Sequence, residues 1–121
     1  MTKPLVPKHV DLRDFAFMPL DVVRLRDCDL TALSSDAGFR AAVLLWCAAW
    51  HQVPAGSLPD DDRILTRLSG FGRDEEAFAS IREEAMRHFI KCDDERFYHP
   101  LICKKAMDAW RKKLQAREAA K

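Results

Sequence analysis

A mainly helical α+β fold is predicted by three features of the sequence. Helical patterns follow one another over residues 37–89, two short aromatic and β-branched segments come next, and a lysine-rich amphipathic stretch ends the chain. Helix, short helix, longer helix and two-stranded hairpin is the order of a winged helix-turn-helix, with the hairpin as the wing. At 121 residues, 48% hydrophobic and 32% charged, the chain has the size of one globular unit. The expected organisation is an extended arm over residues 1–19, a winged-helix unit over 20–103 and a carboxy-terminal basic helix over 104–121.

Each element has a local reason. Pro4, Pro7 and Pro19 keep the amino-terminal segment extended, and Phe15, Phe17 and Met18 give it an aromatic end that can dock on a core. Pro19 suits the first turn of a short helix through Val22, Val23 and Leu25, which Asp27 and Asp29 close toward a loop. Asp36 is the expected cap of a central buried helix over 37–52, apolar almost all round with Phe39, Leu45, Trp46 and Trp50. The segment Val53-Pro54-Ala55-Gly56 breaks it. Ser57 or Asp60 then caps a short helix with Ile64, Leu65 and Leu68 on one face, ended by Gly70.

Asp74 caps the next helix, in which Phe78, Ile81, Ala85 and Phe89 form one apolar stripe. Segments 89–92 and 96–99 flank a polar turn and make the hairpin. Its Ile90, Cys92, Phe97 and His99 face should lean on the helices, because an isolated hairpin is marginal in water. After Pro100, Cys103, Met107, Trp110 and Leu114 line one side of the last helix.

Twenty Lys and Arg against nineteen Asp and Glu leave a net charge of +1, so any electrostatic function rests on how charge is distributed. The longest apolar run, residues 41–50, falls well short of the ~20 residues of a membrane span. The opening MTKPLVP lacks the apolar stretch of a secretion signal, which predicts a cytoplasmic chain whose four cysteines are thiols. No G-x-S-x-G, Gly-rich phosphate loop or H-E-x-x-H is present, and the acidic runs stand at helix starts where capping explains them. A non-catalytic protein without a cofactor is expected.

Charge is uneven along the chain. Residues 61–103 hold seven Lys and Arg against ten Asp and Glu, a net of −3. The outward face of the third helix, with Arg73, Glu76, Ser80, Glu83, Glu84 and Arg87, is poorly suited to reading a major groove. Residues 104–121 hold seven Lys and Arg against two acids, a net of +5. Lys104, Lys105, Arg111, Lys112, Lys113 and Arg117 are therefore the expected contacts to DNA phosphates, extended on the hairpin by Lys91 and Arg96. The plainer alternative is a solvated, lysine-rich surface.

A rival function is an interaction module, in which Phe15, Phe17 and Met18 with Glu76 and Glu83 bind a second copy or another protein. His88, Cys92, His99 and Cys103 have the spacing H-x3-C-x6-H-x3-C, and two His with two Cys are zinc-type ligands. Their alternation across a helix end and two strands departs from the usual knuckle pairs, so buried thiols and a structural histidine are expected and no metal.

The segments 17–27 (FMPLDVVRLRD), 39–50 (FRAAVLLWCAAW), 58–68 (LPDDDRILTRL) and 89–99 (FIKCDDERFYH) resemble the YdaU-like prophage proteins, a domain of unknown function, over about residues 15–112. The resemblance implies a winged-helix module related to the amino-terminal domains of DnaD-type replisome organisers. It further implies a role in phage replication initiation or its control, DNA as ligand, a replisome or helicase-loading partner, and self-association into a homo-oligomer. One departure is Pro100-Leu-Ile-Cys103, where many relatives carry a basic residue or Asn.

Overall fold

The computed structural model describes residues 2–120 and has mixed α and β architecture. In chain order the elements are α1 (Val22–Asp27), α2 (Asp29–Leu33), α3 (Asp36–Trp50), β1 (Ser57–Pro59), α4 (Asp62–Leu68), α5 (Glu75–Ala85), β2 (Ile90–Lys91), β3 (Arg96–Tyr98) and α6 (Pro100–Ala119). Met1 and Lys121, the outer ends of the expected arm and basic helix, lie outside the described residues.

All the helices but α2 start where a side chain takes up a free amide, though not always at the expected residue. Ser35, not Asp36, caps α3, its Oγ accepting from Gly38 N at 3.1 Å; Asp36 instead puts its carboxylate in the positively polarised first turn. Asp61 caps α4, accepting from Arg63 N at 2.9 Å. Ser57 is drawn into β1 and Asp60 into an ion pair with Lys91, so neither serves as the cap. Asp74 caps α5 as expected, at 3.0 Å from Ala77 N. The expected loop after Asp29 is the short helix α2, because Leu30 turns fully into the core there.

The sheet is three-stranded and antiparallel in the order β1-β3-β2, so the expected hairpin gains a third strand and β3 becomes central. Tyr98 pairs with both Ser57 and Ile90, and Phe97 with both Leu58 and Lys91. Side chains alternate across a strand. This register puts Ile90 on the face of Tyr98 and away from Phe97, and leaves Ile90 40% exposed, which corrects the expected grouping of Ile90, Cys92, Phe97 and His99. Leu58 and Phe97 pack with Leu45, Leu65 and Phe78 of the helical core. Tyr98 joins the arm residues Val6, Val10 and Leu12 in a second cluster.

The arm is thus part of the packed unit. Its anchors are Val6, Val10 and Leu12, all fully buried, whereas Phe17 of the expected docking end is 86% exposed. The carbonyl of Thr2 accepts from Asp93 N at 2.8 Å, and that of Val10 from Ala55 N at 3.0 Å, so the strap is tied to the hairpin and to the turn after α3.

One junction sets where α6 leaves the sheet. Gly56, at φ +86°, lies so close to α6 that a Cβ there would stand 2.7 Å from Cys103 Sγ. Its carbonyl accepts from His99 N at 3.2 Å and from the Cys103 thiol at 3.4 Å. His99 caps α6, its Nδ1 accepting from Ile102 N at 3.4 Å, and Pro100 fills the first turn, where its missing N–H costs nothing. With Nδ1 an acceptor, the ring proton sits on Nε2, which is buried with no partner among the described residues. Burial, with a smaller push from nearby His88, lowers the His99 pKa to about 4.

Because folding depresses this pKa below its usual 6.5, the folded state is disfavoured by protonation. Stability is whole above pH 6.5 and is lost as the pH falls toward about 4, by about 3 kcal/mol in all. Urea unfolding across that range should show this loss in the native protein. His99→Asn keeps a capping acceptor without the titration and should lack the loss; equal acid sensitivity in both would contradict the assignment.

Candidate nucleic-acid interface

α6 runs for 20 residues, about 30 Å. Ile102, Cys103 and Ala106 bury one side of its first half. Residues 104, 105, 108, 111 and 112 recur at helical spacing on the other side, which makes one solvent face of Lys104, Lys105, Asp108, Arg111 and Lys112. Arg117 lies round the helix from them but past the end of the core, so it too is exposed. Arg111 is paired with Asp108 at 3.0 Å. Lys104, Lys105, Lys112 and Arg117 carry no ion pair with the described residues.

Lys113 has a different setting. Its ammonium donates to Asp14 Oδ1 at 2.9 Å and to the Asp11 carbonyl at 3.3 Å, and lies 5.7 Å and 5.5 Å from the ring centres of Phe15 and Trp110. This bond holds the Asp14 carboxyl below its usual range. Lys113 therefore clamps the arm to α6. Phe15 is fixed further, with its carbonyl 2.6 Å from His51 Nε2 and its ring edge-on to Trp50 at 6.4 Å.

Between arm and α6 lies a cleft of about 700 Å³, whose walls include Phe15, Phe17, Met18 and Trp50 together with Lys105 and Lys112. The aromatic arm and the basic helix, read from the sequence as belonging to rival functions, thus meet in one place. The other expected residues do not join them. Lys91 pairs with Asp60 at 2.9 Å and Glu95 at 3.3 Å, which raises its pKa. Arg96 donates to Ser57 Oγ at 2.9 Å and Gln52 Oε1 at 3.3 Å, tying β3 to β1 and the end of α3. Glu76 and Glu83 stand exposed on α5 and do not line this cleft.

A second cleft of about 750 Å³ opens beneath α1, with Leu25, Cys28, Trp46, Phe89 and Leu101 in its walls. His99 borders it, 5.0 Å from Trp46 and 6.1 Å from His88 between ring centres. His99 is occupied as a cap, and burial pushes the Cys103 thiol up to about 12 and raises Cys92 as well. Among the described residues, no three His, Cys, Asp or Glu side chains gather closely enough to hold a metal ion. The four cysteines are free.

Sequence reading missed Trp50 as a cleft wall and Asp14 as the partner of Lys113. Trp50 carries the apolar spacing of any core residue, and Asp14 and Lys113 are 99 positions apart, so neither leaves a local signal. No helix among the described residues is long and apolar enough to cross a membrane. Compared with known proteins, residues 16–111 match the family described as "Protein of unknown function (DUF1376)". No curated protein and no solved structure matches the chain.

Lys113→Met keeps the aliphatic stem and removes the clamp. Urea unfolding should give a loss of about 1 kcal/mol, and trypsin should cut faster after Arg13. An unchanged cleavage rate would mean that the arm is held without Lys113.

Proposed function

The chain belongs to the DUF1376 family of proteins of unknown function, and we propose that it is a non-catalytic winged helix-turn-helix protein that binds DNA through phosphate contacts along α6. The connectivity α3-β1-α4-α5-β2-β3 with sheet order β1-β3-β2 supports the winged-helix reading, with α4 and α5 as the helix-turn-helix. The observation that carries the binding reading is the run of uncommitted cations on α6: Lys104, Lys105, Lys112 and Arg117. Cations free of internal pairs can each release a counterion from DNA on binding, giving affinity without sequence readout.

The exposed side of α5 argues against readout by that helix. It presents Glu75, Glu76 and Glu83, and Arg82 is turned aside to Asp62 at 3.0 Å. The resemblance to YdaU-like prophage proteins extends the proposal to phage replication initiation or its control. The apolar cleft beneath α1 favours a second reading, self-association, because Val23 in its wall is 56% exposed and the adjacent Val22 66%, which leaves apolar surface to be covered.

Fluorescence polarisation of labelled DNA across a salt series tests the first reading. Log affinity should fall linearly with log salt, and the combined variant Lys104→Glu, Lys105→Glu, Lys112→Glu, Arg117→Glu should lose at least about tenfold in affinity and flatten the slope. Unchanged binding by this variant, with its circular dichroism intact, would remove α6 as the contact. For the second reading, Val22→Asp with Val23→Asp should lower the mass in light scattering; an unaltered mass counts against it.

A further inference from the structure

We infer that the cleft between the arm and α6 takes a single-stranded nucleic acid, its bases stacking on Phe17 and its phosphates meeting Lys105 and Lys112. This rests on the reading of α6 as a phosphate-binding helix and adds the form of the ligand. The starting point is the ring of Phe17, which is 86% exposed although phenylalanine is among the residues most often inside. It stands in the cleft wall beside both lysines. The backbone that carries it is constrained on both sides. Phe15, two residues before, is fixed through its carbonyl, Trp50 and Lys113, and Pro19, two residues after, restricts the chain and lines the same cleft.

Phosphates alone call for cations. An aromatic ring next to cations is what an unstacked base adds, since every base has a π-face and stacking is tolerant of sequence. In a duplex those faces are already covered by neighbouring base pairs, so a ring at the protein surface has nothing to stack on. Lys105 and Lys112 are seven residues apart, two turns or about 10.5 Å along α6, which lets a strand run along the helix past the ring. Asp108 also lines the cleft, and its carboxylate is engaged by Arg111 at 3.0 Å. The glutamates of α5 lie outside the cleft, so a flexible strand can follow it without meeting them.

The test compares three labelled ligands by polarisation at low salt: oligothymidylate, an abasic strand of the same length and a duplex. The protein should prefer oligothymidylate to both others. Phe17→Ala, at a site too exposed to affect folding, should weaken oligothymidylate about tenfold and leave the abasic strand unchanged, and Phe17→Trp should restore binding. Should Phe17→Ala bind oligothymidylate as the native protein does, or the duplex bind as tightly as the strand, base stacking is overturned, even with Lys105→Glu and Lys112→Glu weakening every ligand. Should none of the three bind, the reading of α6 falls as well.

Discussion

The direction of α6 depends on the contact between Gly56 and the start of that helix. A backbone with no side chain lets the turn before β1 press against Cys103, and the Gly56 carbonyl then accepts from both the His99 amide and the Cys103 thiol. His99 can accept as the cap of α6 only while its ring is neutral, and burial beside Trp46 and Phe89 keeps it so. Were α6 to leave the sheet at another angle, Lys113 would not reach Asp14, the arm would not lie along the helix, and the cleft between them would have one wall. The junction is buried, but what it controls is a surface feature that reaches to Lys113, nearly three turns further on.

Charge in this chain is sorted by partner as much as by position. Lys91, Arg96 and Lys113 are each engaged within the fold, with Asp60, with Ser57 of β1 and with Asp14 of the arm, and so link segments far apart in sequence. The remaining cations of α6 keep their hydration and contribute little to stability, as is usual for exposed charges. Such residues suit a binding role because engaging them breaks nothing in the fold. The acidic α5 has the reverse character: Glu84 accepts from Ser35 Oγ at 2.6 Å, helping to hold α5 against α3, and the other glutamates face water.

Much of the helical layout was legible in the sequence, and the reasons for what was not are physical. The stripe of Phe78, Ile81 and Ala85 and the cap at Asp74 announce α5 because period and cap agree. β1 was illegible, since Ser57-Leu58-Pro59 is too short to show alternation and becomes a strand only by pairing with β3. Val6, Val10 and Leu12 lie among prolines with no period at all, so nothing local marks them as the arm's anchors. The cations of α6 stood out as a charge run. Which of them are committed to the fold could not be read, because the partners lie up to 102 residues away. His99 illustrates the same limit: in the sequence it belongs to a His/Cys spacing, and in the structure it is a helix cap.

The most direct test of the account is to map the contact by amide chemical shifts, titrating the isotope-labelled protein with oligothymidylate at low salt. Perturbed amides should fall on residues 104–117 of α6 and on 15–18 of the arm, with α5 unmoved. Perturbations centred on α5 and the hairpin, leaving α6 and the arm unchanged, would contradict it.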